Sequence, residues 1–396
     1  MTLEHILKLD VKAFDALLFQ SLQDRSTYRQ LVVRCGQEAQ FLLNLLQAVC
    51  LQPSLEHFPK RALIKLSRTS GLYPECMTLK EIKLVGKTAL AAGNFGDIWK
   101  GLLGGQEICI KVPRVFQRSD KVKLLKAFST EAVIWRQLCH PNVLPFYGVF
   151  HLEDKGPCLA SPWMKNGNVT SFLKLAPETR RLPLASQMLD IAEGLHYLHT
   201  FEPSIIHGDL KGVNILITDS HRACLADFGL ATTKDSKSFV VNSTTTMRVA
   251  GTLRWQAPEL FDPCADDTAC VSSLASDVYA FACVCYEMFS GEVPFHDIRN
   301  DYRVMNSVML GKRPTRPSHD MCGLDDEIWC IIESCWTHKP IERLTTHKIV
   351  ERLRLLSTTS VERPIDNFDP LFPSQTLYSQ AEHPFSALPN LMNAAK

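Results

Sequence analysis

The stretch from Ile205 to Gly229, IIHGDLKGVNILITDSHRACLADFG, constrains this chain more than any other part of its sequence. The apolar run 215–217 predicts a short buried strand, and the chain returns through 224–226 after a turn near Asp219. This gap suits a β-hairpin, which would bring the residues on its two flanks together. The stretch also carries an imidazole, two carboxylates, an ammonium group and an amide, on His207, Asp209, Lys211, Asn214 and Asp227.

The predicted hairpin would place Asn214 beside Asp227. Their amide and carboxylate oxygens are hard ligands of the kind that Mg²⁺ takes together with phosphate oxygens and water. Asp209 would then be available to orient a nucleophile. A lone Asp-Phe-Gly is an ordinary turn with an aromatic anchor in any protein. The functional interpretation therefore depends on Asp209 and Asn214 lying in the same segment.

This combination resembles the catalytic loop and metal-binding turn of the protein-kinase family, whose signature is H-R-D-L-x-x-x-N followed by D-F-G. One departure is present, because Gly208 stands in place of the Arg. The surrounding motifs HGDLKGVN, SPWMKNGN and GTLRWQAPE are most similar to the tyrosine-kinase-like group, whose members mostly phosphorylate serine and threonine. Lys211, two residues after Asp209, also favours a Ser or Thr hydroxyl as the acceptor.

Composition limits the alternatives. The chain has 396 residues, of which 45% are apolar and 21% charged, and this is ordinary for a globular protein with a large core. The net charge of +1 gives no case for a nucleic-acid or membrane-surface partner. Its apolar runs fall short of the roughly 20 residues of a membrane helix. We therefore expect a soluble, cytoplasmic protein with no membrane insertion.

The fourteen cysteines are scattered, without a CxxC pair or a Cys/His cluster of zinc-finger spacing. Without a recognisable secretory segment, we expect free thiols in a reducing compartment. Cys283 and Cys285 lie in an apolar run and are expected to fill a core.

The first seventy residues show helical periodicity. Asp24 or Ser26 is a candidate N-cap for the second helix, which is expected to end at Pro53. A third helix is expected to follow Pro59 and to stop at Gly71. The apolar stripes are either core or partner surface, and core is favoured. Binding of a partner protein by these helices is the alternative.

Short strands begin near residue 79, and Gly104-Gly105 predicts a two-residue hairpin turn. The glycine-bearing loop 91–96 could lay backbone N–H groups against phosphates, although alone it also serves as a plain turn. It resembles the kinase pattern G-x-G-x-x-G-x-V at Gly93, Gly96 and Ile98, with Ala91 in place of the first Gly. We expect altered nucleotide affinity from Ala91 rather than lost binding.

Lys111 ends the sequence Ile-Cys-Ile-Lys, which resembles the V-A-I-K strand of the family. The resemblance implies that its ammonium contacts the α- and β-phosphates of ATP; a solvated surface lysine is the alternative. A helix over about 120–138 places Glu131 on its apolar side, where a carboxylate needs a partner. Lys111 is the obvious candidate for that partner. Other carboxylates, such as Glu153, are alternatives to Glu131 as the residue that pairs with Lys111.

Residues from Pro162 to Asn168 break regular structure in the sequence pattern. In the resembling fold this is the hinge, where backbone groups near Pro162 and Met164 pair with adenine. Further on, the resemblance implies a salt bridge between Glu259 and Arg343 and a carboxylate, Asp277, that braces the catalytic loop.

The segment 231–249 is rich in Ser, Thr and Lys and corresponds to the activation segment of kinases. The family's catalytic-loop Arg is the usual partner of a phosphate on this segment. Because Gly208 replaces it, we expect activity to depend less on phosphorylation.

The resemblance implies an α+β, bilobal protein-kinase fold, with a small β-rich N-lobe and a larger helical C-lobe, preceded by an α-helical N-terminal region. We expect that region over 1–75, the kinase domain over 79–356 and a flexible tail over 357–396. Within the domain, the N-lobe is expected over 79–160, the hinge over 161–168 and the C-lobe over 169–356.

The implied function is transfer of the ATP γ-phosphate to Ser or Thr hydroxyls of proteins, in signal transduction. Asp209, Lys211 and Asn214 would be catalytic, and Asn214 with Asp227 would hold Mg²⁺ or Mn²⁺. The implied nucleotide contacts are Ala91, Gly93, Gly96, Ile98, Lys111, Glu131, Pro162 and Met164. The alternative is a pseudokinase scaffold that acts through protein–protein interactions, which Ala91 and Gly208 would favour.

Overall fold

The computed structural model describes residues 20–50, 58–92, 96–113, 121–153, 155–175, 184–233, 252–261, 272–317, 324–356 and 366. Outside these residues lie Gly93, Pro53, most of the first predicted helix, the Ser/Thr-rich part of the activation segment and nearly all of the predicted tail. The chain forms two compact units. The first contains the described residues up to Cys139 and those of Pro145–Trp163. The second contains His140–Leu144 and the described residues from Met164 onward.

The first unit is built on a six-stranded antiparallel sheet with the order β1-β3-β4-β6-β5 and β2 paired to β3. Its strands are β1 (Lys83–Val85), β2 (Ala91–Ala92), β3 (Gly96–Leu103), β4 (Gln106–Pro113), β5 (Gly148–Leu152) and β6 (Gly156–Pro162). Ile108, Ile110 and Val112 alternate along β4 and are buried in an apolar core. Because side chains alternate along a strand, Lys111 lies on the opposite face.

Two sequence predictions can be compared directly with this sheet. The turn at Gly104-Gly105 is confirmed, since Leu103 and Gln106 are the last paired residues of β3 and β4. The predicted break at Pro162 is wrong by one residue, because Pro162 still pairs with Ile108 at the end of β6. The pairing of β6 with β5 ends at Ala160, so a proline without an N–H costs no ladder hydrogen bond there.

The helices of the first unit are α1 (Arg25–Leu31), α2 (Gly36–Cys50), α3 (Phe58–Ser70) and α4 (Lys121–Arg136). The expected single second helix is therefore wrong, because the chain turns between α1 and α2. Asp24 is the N-cap, as predicted, and its carboxylate accepts from the N–H of Thr27 at 2.7 Å. It caps the short α1 only. Helix α3 packs on both α2 and α4, which makes its apolar stripe core.

The second unit is mainly helical. Its helices are α5 (Val169–Leu175), α6 (Leu184–Thr200), α7 (Leu274–Ser290), α8 (Asp301–Met309), α9 (Asp326–Cys335) and α10 (Thr346–Leu356). Two small antiparallel sheets pair β7 (Ile205–Ile206) with β10 (Thr232–Thr233) and β8 (Ile215–Ile217) with β9 (Ala223–Leu225). Every residue of α7 from Ser276 to Phe289 is buried. This helix is the centre of the unit.

The cysteines in the described part of the chain are free thiols. Cys283 and Cys285 are fully buried in α7, as the core prediction expects, and burial raises the pKa of both thiols. Within the described ranges, none of the helices combines the length and the apolar character that crossing a membrane requires. The predicted fold class, α+β with a β-rich part, a helical part and helices before both, is confirmed.

Candidate functional site

The predicted hairpin is present. Strands β8 and β9 pair antiparallel from Ile215 opposite Leu225 to Ile217 opposite Ala223. At its open end the N–H of Ala226 donates to the carbonyl of Asn214 at 2.9 Å. The backbone of Asp227, the next residue, therefore lies beside the turn that carries Asn214.

Asp209 is the centre of the polar cluster that precedes the hairpin. It is 1% exposed, and its Oδ2 accepts from Lys211 Nζ at 2.8 Å and from Asn214 Nδ2 at 3.0 Å. Asn214 Nδ2 also donates to the backbone carbonyl of Asp209 at 2.7 Å. Among the residues that the structure describes, Asp209 Oδ1 has no hydrogen-bond partner although it is buried. Because such an atom is costly to bury, it requires an explanation.

Lys211 joins this cluster to a second segment of the chain. Its ammonium donates to Thr252 Oγ1 at 2.9 Å as well as to Asp209. Thr252 was not named as a site residue from the sequence, although it lies in the Gly-Thr-x-x-Trp motif that follows the activation segment. The only available signal was that motif, which does not say where its hydroxyl points.

A buried carboxylate supports the loop from below. Asp277 lies in the first turn of α7, and its oxygens accept from the N–H groups of His207 at 2.8 Å and Gly208 at 2.9 Å. His199 Nε2 contacts the same carboxylate at 3.0 Å. The predicted bracing role of Asp277 is thus realised in the geometry. A carboxylate at a helix N-terminus is also favoured by the helix dipole.

His207 is fully buried and serves the loop itself. Its Nε2 lies 3.1 Å from the carbonyl of Ala226, and its Nδ1 accepts from the N–H of Asp209 at 3.3 Å. Nε2 therefore connects the loop with the strand that leads to Asp227, and Nδ1 closes the loop on itself. This imidazole holds the loop in shape.

Gly208 has a backbone φ of +77°. Residues with a side chain rarely adopt this conformation, whereas glycine does so without steric cost. A Cβ at this position would also meet the carbonyl of Leu230 at 3.1 Å. The departure from the family signature therefore fits the local backbone.

Asn214 and Asp227 offer oxygen ligands for a divalent cation. Both amide hydrogens of Asn214 point to Asp209, so the amide oxygen is directed to the other side. Asp227 has a φ of +65°, a conformation in which Asp is among the few tolerated side chains. The hairpin holds the two residues on adjacent chain segments. Their donor chemistry is the kind that Mg²⁺ takes, so the residues fit such an ion.

A further buried carboxylate under the loop was missed from the sequence. Glu287, in α7, accepts from the N–H of Gly212 at 3.0 Å and from Trp255 Nε1 at 3.1 Å. Burial raises the pKa of Glu287 to about 7, although these two hydrogen bonds act in the opposite direction. A lone carboxylate inside an apolar run needs a partner. This signal was present in the sequence.

In the other unit, Lys111 Nζ lies 3.0 Å from Glu131 Oε1, so the predicted ion pair is formed. The register of the sheet places Lys111 opposite Ile98, and Ile98 opposite Ala91. Three of the predicted nucleotide contacts therefore lie side by side on neighbouring strands. Gly96 begins β3, and Gly93 lies outside the described residues.

The residues predicted at the hinge follow the sheet. The N–H of Trp163 still donates to the carbonyl of Glu107 at 3.2 Å, and Pro162 is the last residue of β6. Met164, in the second unit, begins a turn in which its carbonyl accepts from the N–H of Gly167 at 3.1 Å. Glu259 and Arg343 form the expected salt bridge, with two contacts of 2.7 Å.

Known proteins resemble this chain over more than half of its length. The family described as protein tyrosine and serine/threonine kinase matches residues 84–353, more than half of the chain. Serine/threonine-protein kinase STY46 of Arabidopsis thaliana is 31% identical over 281 residues, which cover 70% of this chain and 44% of that protein. Human mitogen-activated protein kinase kinase kinase 10 is 29% identical over 304 residues, covering 75% of this chain and 30% of that protein.

The chain thus spans less than half the length of these relatives. The match nevertheless includes the loop around Asp209, the hairpin and the Lys111–Glu131 pair in their expected order. A family match of this extent, on residues arranged in this way, identifies the chain as a member of the protein kinase family.

Proposed function

We propose that this protein transfers the γ-phosphate of ATP to serine or threonine hydroxyls of other proteins. The observation that carries the proposal is the state of Asp209, whose Oδ2 is held by two donors while its buried Oδ1 has no partner among the described residues. A substrate hydroxyl is the donor that would satisfy this oxygen. The Ser/Thr specificity is supported by Lys211 and by relatives such as STY46, which is named a serine/threonine-protein kinase.

In the proposed reaction the substrate oxygen bonds to the γ-phosphorus while the bond to the β–γ bridging oxygen breaks, and ADP leaves. Asp209 orients the hydroxyl and accepts its proton. Lys211, fixed by Asp209 and Thr252, offsets the negative charge on the transferred group. Catalysis of this kind consists mainly of positioning and charge stabilisation.

The nucleotide would be held by residues of the sheet and its flanks. Lys111, kept in place by Glu131, would contact the α- and β-phosphates. Backbone groups near Ala91, Gly93 and Gly96 would face the phosphates, and Ile98 would contact the nucleotide beside Lys111. Backbone groups near Pro162 and Met164 would pair with adenine. Family membership implies ATP, and each of these contacts is part of the proposal.

Asn214 and Asp227 would hold the divalent cation that the family uses. We propose Mg²⁺, with Mn²⁺ as a substitute, because both residues present oxygen ligands. When bound, the ion neutralises charge on the phosphate oxygens. We further propose a cytoplasmic protein that acts in signal transduction on protein substrates.

The test is transfer of radiolabel from γ-labelled ATP to a generic protein substrate, followed by identification of the labelled amino acid. Asp209→Asn should lower kcat by about 10²–10⁴-fold while ATP binding persists, and Lys111→Met should weaken ATP binding. Label should appear on Ser and Thr.

Matched controls are Asp219→Asn, in the exposed hairpin turn, and Lys100→Met, on the strand next to Lys111. Both should retain wild-type transfer. If the wild type transfers no more label than Asp209→Asn, with Mg²⁺ or with Mn²⁺, the protein is a scaffold and the proposal is wrong.

A further inference from the structure

Helix α4 presents Glu131 to the sheet on one side and is covered by the N-terminal helices on the other. Successive residues of a helix are about 100° apart, so Ser129 lies nearly opposite Glu131 on the helix surface. Lys126 and Gln137 lie on the same side as Ser129, within about 60° of the direction opposite Glu131. Ser129 is buried. The face of α4 that is opposite to Glu131 is therefore a packed interface.

The end of α3 contacts this face directly. Ser129 Oγ donates to the carbonyl of Gly71 at 2.8 Å. Gly71 follows α3 with a φ of +75°, and a Cβ there would meet Lys126 Cγ at 3.2 Å. Glycine adopts this left-handed backbone without steric cost and allows α4 to approach closely. Gly71 thus both ends α3 and contacts α4.

Tyr73, two residues further along, joins α4 to the sheet. Its ring lies 6.1 Å from that of Phe128 in an edge-to-face arrangement, and Phe128 is one helical turn before Glu131. Its hydroxyl lies 2.6 Å from Nε2 of His151 on strand β5. Tyr73 therefore contacts both the helix that carries Glu131 and the sheet that carries Lys111.

Helix α2 supports the same arrangement. Gln137 Nε2, just beyond α4, donates to the buried Gln47 Oε1 at 2.7 Å. Gln40 Nε2 donates to the carbonyl of Tyr73 at 3.0 Å, and Asn44 Oδ1 accepts from the N–H of Glu75 at 2.9 Å. These contacts fix the segment 71–79 against α2.

The segment 71–79 ends on the sheet itself. The N–H of Leu79 donates to the carbonyl of Val149 at 2.7 Å, at the edge strand β5. The side chain of Leu79 belongs to the apolar core of the sheet. The segment thus runs from the back of α4 to the sheet without leaving the unit.

We propose that α2, α3 and the segment 71–79 form a brace that holds α4 against the sheet, with Tyr73, Gln47 and Ser129 as positioning residues for the Lys111–Glu131 pair. The inference rests on the proposed function, because it assigns to the brace an effect on ATP binding through that pair. It predicts that the N-terminal helices support activity.

The physical reason lies in the geometry of the pair. Lys111 Nζ lies 3.0 Å from Glu131 Oε1, and if α4 moved away by about 1 Å the two atoms would be too far apart for a hydrogen bond. The two residues lie on separate elements, and helix packing decides their separation. A contact on the face of α4 opposite Glu131 therefore affects the distance between Glu131 and Lys111.

The test uses the full-length protein and measures the Kd of a non-hydrolysable ATP analogue with Mg²⁺ by calorimetry. Tyr73→Ala should raise Kd about three- to tenfold, and Ser129→Ala less. Tyr73→Phe keeps the contact with Phe128 and should recover most of the affinity. The control is Phe41→Ala, which removes an aromatic ring that is 43% exposed on α2 and should leave Kd unchanged.

A double-mutant cycle separates a positioning effect from general destabilisation. If Tyr73 acts through the ion pair, Tyr73→Ala should have no further effect on Kd in a Glu131→Ala background. Additive losses, or a Tyr73→Ala protein that binds as tightly as the wild type, would overturn the brace.

A readout without nucleotide keeps this test separate from the proposed function. Amide hydrogens of α4 should exchange at least about tenfold faster in Tyr73→Ala than in Phe41→Ala. If the wild type binds no nucleotide, the proposed function fails. Unchanged exchange in α4 would overturn the brace whatever the wild type binds.

Discussion

Two glutamate salt bridges, one in each unit, differ in the geometry of the cation and in its access to solvent. Arg343 meets Glu259 through two contacts of 2.7 Å and also donates to the carbonyls of Thr337, Ala275 and His338. Its side chain is 1% exposed. Lys111 Nζ lies 3.0 Å from Glu131 Oε1, and both side chains retain some access to solvent, at 14% and 11%.

The difference indicates different uses. A bidentate guanidinium with all its donors directed at oxygens fixes two chain segments in one geometry. An ammonium group has no fixed fork, and where it keeps access to solvent it can exchange one oxygen for another, such as a phosphate oxygen. The saturated Arg343–Glu259 pair therefore suits a structural role, and the Lys111–Glu131 pair suits a binding role.

Removing the saturated pair should give the largest loss of stability. Arg343→Met leaves Glu259 and three carbonyls without their donor, and breaking a buried pair in this way costs about 3–5 kcal/mol. Urea denaturation should show that loss in the free energy of unfolding. Arg343→Lys keeps the charge but loses the fork geometry, so its free energy of unfolding should lie between those of the wild type and Arg343→Met. Equal stability of Arg343→Met and wild type would contradict the structural role.

A third glutamate extends the comparison, because within the described part of the chain Glu287 accepts hydrogen bonds from two neutral donors, Gly212 N–H and Trp255 Nε1–H. Burial raises its pKa from 4.5 to about 7, so the folded state binds the proton more tightly than the unfolded state. Its stabilising contribution is complete below about pH 4.5 and is lost as the pH rises towards 7. The loss amounts to about 3 kcal/mol at most.

Urea denaturation at several values between pH 5 and pH 8 would measure this effect. The wild type should lose stability relative to Glu287→Gln as the pH rises to about 7, because the amide does not ionise. Above that pH the difference should level off. Parallel curves for the two proteins would show that Glu287 does not titrate in this range.

Removing the Lys111–Glu131 pair should cost less stability than either of these changes. Lys111→Met should lower the free energy of unfolding by about 1–2 kcal/mol, because Glu131 keeps partial solvation. Its effect on ATP binding should be much larger than that. Lys100→Met, which breaks the more exposed pair with Glu107 on the same sheet, provides the control. A loss as large as that of Arg343→Met would remove the distinction between the two pairs.

The sequence predicted those features that depend on local pattern. The hairpin after Asn214 follows from two apolar runs and the turn between them, and helix periodicity places Glu131 on the apolar side of its helix. The family resemblance then supplied Lys111 as the partner of Glu131, the pairing of Glu259 with Arg343, and the position of Asp277 under the loop.

The parts that the sequence did not predict are contacts between faces. The apolar stripe of α3 was recognised, but periodicity does not say that it packs on the back of α4. The break between α1 and α2 comes at a turn before Gly36, whose φ is +58°, and this glycine was a turn signal that the sequence prediction did not use. Glu287 was overlooked because its neighbours in α7 are apolar, although the argument that found a partner for Glu131 applies to it equally.

The smallest expected effect concerns a pair that this chain lacks. A phosphate on the activation segment usually meets the catalytic-loop Arg, and its charge orders the segment through that contact. Gly208 offers no cation at this position, so removing such phosphates should change kcat by less than about twofold. Phosphatase treatment, checked for completeness by mass spectrometry and followed by the radiolabel assay, measures the change. A protein that becomes inert on dephosphorylation would show that another cation has taken the place of the missing Arg.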